Sequence, residues 1–186
     1  MNKDEMLATI SKFPQGLNGI QISGEEACYL WDICFPLSNA TVIEIGSALG
    51  MGSTFVMYHA LKNGSGNRLI CVDCWEVFTD RGVTLEYSYE NFLQNALNNK
   101  LRISIIKDLS VTATGFLKDK IADIIFIDGS HQEDAIHSDI ITWLPKMKTG
   151  GIFCGHDYNI PQVATVVDRL LGHVNVCGTI WNLKIT

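Results

Sequence analysis

The sequence predicts an α/β fold built on a doubly wound, mostly parallel sheet. Three observations carry this. Short runs rich in Val and Ile alternate with segments of helical periodicity from residue 41 onward. The turn after the first run, "EIGSALGMGST", is glycine-rich and leads directly into a helix. The runs also end in acids, with Glu44, Asp73, Asp108, Asp128 and Asp157 at successive strand ends.

Two helices come first, over residues 3–12 and 23–35. The second opens on a capping box, Ser23 as N-cap with Glu26 three places on. "TVIEI" (41–45) is the first strand, followed by a helix over 51–62, and "RLICVD" (68–73) is the second. A polar, aromatic stretch runs over 74–90 into a helix near 86–98. "RISII" (102–106) is the third strand, with a short helix at 110–118. "ADIIFID" (122–128) is the fourth, and "QEDAIHSDIITWLPKM" an amphipathic helix that Pro145 helps to end. "GGIFCGHD" (150–157) is the fifth strand and 161–171 a helix. "HVNVC" and "TIWNLKI" complete a set of seven strands. Right-handed crossovers place helices on both faces.

A chain of 186 residues, 47% hydrophobic, fits a single domain over 1–186: N-terminal helices in 1–36 and the sheet core in 40–186. The net charge is −6 without a basic run, so a phosphate backbone is an unsuitable partner and no nucleic acid is expected. A small-molecule acceptor fits better. "MNKDEML" lacks the basic end and apolar run of a signal peptide. No apolar stretch approaches the roughly 18 residues of a membrane span, so a cytoplasmic protein with no membrane partner is expected. A homodimer is left open. The six cysteines (Cys28, Cys34, Cys71, Cys74, Cys154, Cys177) are scattered through apolar segments, as free thiols are in a reducing compartment. Cys71 and Cys74 form a CxxC, but no second CxxC or His pair completes a zinc set.

In such sheets ligands bind outside the carboxyl ends of the strands. The glycine spacing there is Gly46-x-x-x-Gly50-x-Gly52, not the GxGxxG of a dinucleotide site. Glu44 just before the loop would repel a pyrophosphate and attract a cation. Asp73 is placed to accept the two hydroxyls of a ribose, and Trp75 to stack on a purine. A nucleoside carrying positive charge and no phosphate answers this description, and S-adenosylmethionine is one.

"VIEIGSALGMGST", "ICVDCW", "IADIIFIDGSHQEDAIHSDI" and "LPKMKTGGIFCGHDY" together resemble successive motifs of Rossmann-like, class I S-adenosylmethionine-dependent methyltransferases. The likeness is to the small O-methyltransferase group that includes catechol- and macrocin-type enzymes, over roughly residues 40 to 185. It implies a seven-stranded Rossmann-like sheet with a C-terminal antiparallel strand, here "TIWNLKI". It also implies that Glu44, Gly46, Ser47, Gly50 and Ser53 hold the methionine end of the cofactor and Asp73 the ribose. Trp75, Asp108 and Ser110 would lie near the adenine, and Asp128, Gly129 and His131 would face the sulfonium and acceptor. Two positions depart from the wider pattern: Ala48 stands for a common glycine, and "KDLS" for "GDS".

O-methylation requires a nucleophilic hydroxyl, made by a base or a bound cation. His131 is the candidate base, expected in the first turn of its helix with Asp128 beside it as the second catalytic residue. There the helix dipole would lower its pKa and Asp128 would raise it. Asp128, His156 and Asp157 are the candidate ligands of a divalent cation, Mg²⁺ or Mn²⁺, His156 suiting Mg²⁺ least. His137 and Asp139 read as a solvated helix face, His59 as packing, His173 as surface, and Trp31, Trp143 and Trp181 as core. Residues 76–90, with the N-terminal helices, read as a lid over the acceptor.

Two other functions fit the scaffold. A non-catalytic S-adenosylmethionine-binding or regulatory module would keep the cofactor loop. An NAD-dependent oxidoreductase is disfavoured by the glycine spacing and Glu44. Methylation of nucleic-acid bases usually brings an (N/D)PP(Y/F) motif where "DGSH" stands here.

Overall fold

A computed structural model describes residues 1–14, 21–76, 78–80, 83–85 and 88–186. Two N-terminal helices, α1 (Lys3–Ile10) and α2 (Gly24–Cys34), precede the sheet. Both open on complete capping boxes, Asn2 with Glu5 and Ser23 with Glu26. Then follow β1 (Thr41–Ile45), α3 (Ser53–Leu61), β2 (Arg68–Asp73), β3 (Phe78–Asp80), β4 (Val83–Leu85), α4 (Tyr89–Asn98), β5 (Ser104–Lys107) and α5 (Ser110–Ala113). The chain continues through β6 (Ala122–Ile127), α6 (Glu133–Trp143), β7 (Met147–Gly155), α7 (Pro161–Leu171), β8 (Asn175–Cys177) and β9 (Ile180–Lys184).

The main sheet has seven strands in the order β5-β2-β1-β6-β7-β9-β8. The contacts from β5 through β7 are parallel, while β9 runs antiparallel between β7 and β8. The antiparallel closing strand expected of "TIWNLKI" is therefore present. β3 and β4 form a separate antiparallel pair. They fall within 76–90, where the expected lid lies partly outside the described residues.

Strand alternation divides the interior into two cores. Val42, Cys71, Ile124, Phe126 and Cys154 pack toward α1, α2 and α3. Ile43, Ile45, Val72, Ile125, Ile127 and Phe153 pack toward α6 and α7. Trp31, Trp143 and Trp181 are buried as expected. His59 lies against Phe55, ring centroids 4.4 Å apart, and His173 is exposed. All six cysteines are free thiols, and Cys71 is buried within β2. No helix among the described residues is long and apolar enough to cross a membrane.

The parallel ladder runs one residue beyond the strands. Gly46 N donates to Val72 O, Asp108 N to Asp73 O, Asp128 N to Ile45 O and His156 N to Ile127 O, at 2.8, 3.1, 2.8 and 2.9 Å. These bonds fix the row of residues along the carboxyl edge. Gly46 is the tightest point of that row. Its φ is +86°, and a Cβ there would stand 2.1 Å from the Asp128 carbonyl oxygen. Gly46→Ala should therefore cost about 2–5 kcal/mol, the sum of a left-handed residue and an overpacked contact. Gly150 has φ +83° with nothing within 4 Å of its Cβ position. Gly150→Ala should cost only the conformational part, about 1–2 kcal/mol. Urea midpoints of the two variants check the difference; equal losses would show that the approach to Asp128 yields.

Candidate active site

A cavity of about 570 Å³ opens at the carboxyl edge of the sheet. Its wall is made by the loop after β1, the end of β2, the start of α5, the turn after β6 and the first half of α6. Gly46, Ser47, Gly50, Ser53, Asp73, Ser110, Asp128, Gly129 and His131 all line it, bringing together nine of the residues singled out in the sequence. Gln21 and Ile22, just before α2, complete one side.

Glu44 does not reach this wall. It shares the parity of Val42, so its carboxylate points down into the α3 side of the sheet and is fully buried. There it accepts Ser47 Oγ at 2.7 Å, Ser53 Oγ at 2.5 Å and Thr54 Oγ1 at 2.5 Å. Burial pushes its pKa up, against those three hydroxyls. Glu44 thus braces the loop and the start of α3 from below. The N-terminus of α3 receives no side-chain cap, and its N-cap Gly52 lines the cavity.

Asp73 lies on the wall, with Oδ2 accepting Ala48 N at 2.9 Å and Oδ1 accepting Trp75 N at 2.8 Å. Burial raises its pKa while these amides oppose the shift. Ala48 adopts a left-handed φ of 46°, the conformation a glycine would hold more easily. Trp75 corrects the expectation of a purine platform. Its indole N–H donates to Ala48 O at 2.7 Å, and its ring packs on Phe92 and Tyr89 at 4.6 and 4.9 Å. It fastens the loop from outside the cavity. Asp108 is likewise absent from the wall, accepting Leu109 N at 2.8 Å ahead of α5.

Ser110 is a wall residue with a partner the sequence did not announce. Its hydroxyl donates to Asp139 Oδ1 at 2.5 Å and accepts Trp143 Nε1–H at 2.7 Å. Asp139, read from the sequence as solvated, is buried on the cavity side of α6. The helix is rotated to bury Ile136, Ile140 and Trp143, and this turns Asp139 inward. Burial pushes its carboxyl up to about 6 against the Ser110 bond. Since that pKa lies above the ordinary 3.8, the folded chain holds an extra proton between the two values. The stabilisation is complete at lower pH and lost as pH rises through about 6. Asp139→Asn should raise stability at neutral pH and flatten this part of the profile, as read from urea midpoints across that range. An unchanged profile would place its proton uptake elsewhere.

At the far end of the wall lies a cluster of acids and imidazoles. His131 Nε2 is 2.6 Å from Asp157 Oδ2. His156 Nδ1 stands 3.2 Å from the same Asp157 oxygen and 3.6 Å from Asp128 Oδ1, and its Nε2 stands 3.4 Å from Glu26 Oε1. Burial works against charge on Asp157, yet the two imidazoles hold its carboxyl well below the ordinary range. Burial pushes Asp128 up to about 6, with Asp157 adding to the shift and His156 and His131 opposing it. The helix-dipole expectation for His131 fails, because α6 begins at Glu133 with Gln132 as its N-cap. His131 lies in the preceding turn, where a carboxylate rather than a helix terminus sets its surroundings. One ligand atom each from Asp128, His131 and Asp157 lie within 4.8 Å of one another. The structure therefore brings His131 to the two aspartates, beside His156, whose Nδ1 faces both of them.

Residues 43–158 match the model of a family described as a methyltransferase domain. The chain belongs to this methyltransferase family. No curated protein matches its sequence at a significant level. Solved structures of similar fold include the O-methyltransferase NovP, with TM-score 0.77 and 13% identity over 99% of this chain and 98% of that one. An O-methyltransferase from Bacillus cereus in complex with SAH has TM-score 0.59 and 18% identity over 88% of this chain and 74% of that one. A candidate rRNA methylase from Clostridium thermocellum has TM-score 0.61 and 14% identity over 88% and 95%. The likeness to these structures is one of fold; in this chain the sheet is mostly parallel with the antiparallel strand next to last in spatial order. Fold likeness at these identities leaves the acceptor to be read from the site.

Proposed function

We propose that this methyltransferase moves a methyl group from S-adenosylmethionine to a hydroxyl of a small molecule. The observation that carries the reading is one cavity lined by both Asp73 and His131, with Asp157 Oδ2 2.6 Å from His131 Nε2. Its volume of about 570 Å³ suits a nucleoside-sized ligand. Bound there, S-adenosylmethionine supplies an electrophilic methyl group on a sulfonium. Asp73 would accept the ribose hydroxyls on the lone pairs its two amide bonds leave over. The uncapped start of α3 offers amides and a positive dipole end to the carboxylate of the methionine part. Ser110 and Asp139 border the part of the cavity between α5 and α6, where the adenine fits.

His131 serves as the base. With Nε2–H donating to Asp157, the His131 ring is held in one tautomer at the cavity wall, where it takes the acceptor's proton. The Asp157 carboxylate fixes that tautomer and stabilises the imidazolium that results. The small acceptor enters on the side where Gln21 and Ile22 border the cavity, so the segment leading into α2 contributes to its selection.

Calorimetry with S-adenosylhomocysteine and a methyl-transfer assay over a panel of small hydroxyl compounds test the reading. Binding with turnover supports it. Binding without turnover on any acceptor favours the regulatory module, and no binding overturns both. A divalent cation is the second reading for the cluster, favoured by the grouping of Asp128, His131 and Asp157. Activity lost to a chelator and restored by Mn²⁺ or Mg²⁺ would support it. Full activity after exhaustive chelation would leave His131 as the base alone.

A further inference from the structure

We propose that Glu26, carried by the N-terminal helix α2, is a positioning residue for the His131–Asp157 pair. The inference rests on the reading of that pair as the proton-accepting end of the site. It extends the site to an element outside residues 43–158, the stretch shared with the family.

The geometry begins with how Glu26 is held. It is only 4% exposed, an unusual place for a carboxylate. Oε2 accepts the Ser23 N–H at 2.7 Å, closing the capping box of α2. Oε1 accepts both the N–H and the hydroxyl of Thr179, each at 2.7 Å. Gly178 makes this approach possible: its φ is +60°, and a Cβ there would stand 2.8 Å from Glu26 Cγ and Oε1. Burial works against charge on Glu26, but the Ser23 and Thr179 bonds outweigh it and hold its carboxyl down at about 2. A capping box alone does not require such burial; that of α1 is solvent-exposed.

From this fixed carboxylate two paths lead to Asp157. The first runs through His156, which is 8% exposed and lies between Glu26 Oε1 on one nitrogen and the Asp128 and Asp157 carboxylates on the other. Three carboxylates thus surround one imidazole; on the Glu26 side the contact is one of charge at 3.4 Å, since His156 Nε2 makes no hydrogen bond. The second path runs through the backbone, since Thr179 O accepts the N–H of Tyr158, the residue after Asp157. Asp157 itself has a left-handed φ of 60°, a conformation that needs surrounding support. Glu26 anchors both paths. Removing its charge frees His156 to turn, and the Asp157 oxygen that holds His131 moves with it.

The experiment compares Glu26→Gln with Thr179→Val. The first keeps one acceptor oxygen, for either the cap or the turn, and removes the charge facing His156. The second removes one hydrogen bond of the same dock and leaves Glu26 opposite His156. Histidine side-chain ¹⁵N spectra are recorded for each without acceptor, together with S-adenosylhomocysteine affinity and, where the wild type turns over, kcat and KM. Glu26→Gln is expected to shift both the His156 and His131 signals and to lower kcat about 10- to 100-fold, the range for residues that orient a first partner. Cofactor affinity and KM should stay close to wild type. Thr179→Val loosens the dock while leaving the charge in place, and should move the His131 signals and kcat less than Glu26→Gln does. Should Glu26→Gln fail to fold, His156→Gln breaks the first path with the helix cap intact, and the same displacement of the His131 signals is expected. His131 signals unmoved in the variant that folds would overturn the proposal and leave Glu26 as a helix dock. The spectra do not depend on turnover, so a protein that proves not to methylate still answers the question.

Discussion

His131→Ala is expected to lower turnover about 10²- to 10⁴-fold, the usual contribution of a general base. Affinity for S-adenosylhomocysteine should barely change, because the wall near Asp73 and the glycine-rich loop does not depend on this ring. The expectation rests on the contact between His131 Nε2 and Asp157 Oδ2 at 2.6 Å, in a residue that also lines the cavity. Asp157 stays ionised far into the acid range because two imidazoles face it. An orienting carboxylate of this kind fixes the tautomer and favours the charged form of the base once it has taken a proton. The rate should fall toward acid pH, since an imidazole that already carries a proton cannot accept another, and this limb should vanish in the variant. A variant that keeps both its turnover and the limb would move the base elsewhere. Repeating the measurement in chelator separates the base from a ligand of a bound cation: turnover of the wild type unaffected by chelator, and lost in the variant, identifies the base.

Asp73→Ala should weaken S-adenosylhomocysteine binding by about 2–4 kcal/mol, the cost of two charge-assisted hydrogen bonds to a ribose. The structure adds a second source of loss. Each Asp73 oxygen already accepts a backbone amide, from Ala48 and from Trp75, so the carboxylate also sets the shape of the loop. Asp73→Asn separates the two contributions. It retains one acceptor oxygen and most of the shape, and should fall between wild type and alanine. Calorimetry on the three proteins, with urea midpoints to confirm folding, gives the answer. Equal affinity in a folded Asp73→Ala variant would place the ribose elsewhere in the cavity.

The fold was legible because its signals are local and periodic. "TVIEI", "RLICVD" and "ADIIFID" became β1, β2 and β6 almost residue for residue, since central parallel strands buried on both faces read as nearly continuous apolar runs. The capping box at Ser23 marked the start of α2 for the same local reason. The third strand slipped: expected at 102–106, it lies at Ser104–Lys107. β5 is an edge strand with exposed and half-buried residues, so its apolar pattern is weak.

The sequence by itself determined the order of elements and the row of residues that meets the cavity, because a parallel α/β sheet sends every strand's carboxyl end to one edge. Which of those residues face the ligand was decided by tertiary packing. Glu44 precedes the end of β1 by one residue, and alternation aims it beneath the loop. Trp75 leaves β2 at a left-handed φ of 48° and turns into the aromatic core with Phe92. Asp139 faces the cavity only because α6 buries Ile136, Ile140 and Trp143 together. Glu26 and His156 meet across 130 positions of sequence, through the docking of α2 on the turn between β8 and β9. Local periodicity fixes a side chain's place along its own element. Its direction toward a partner depends on the rotation and docking of elements against one another, and those are set by the whole core at once.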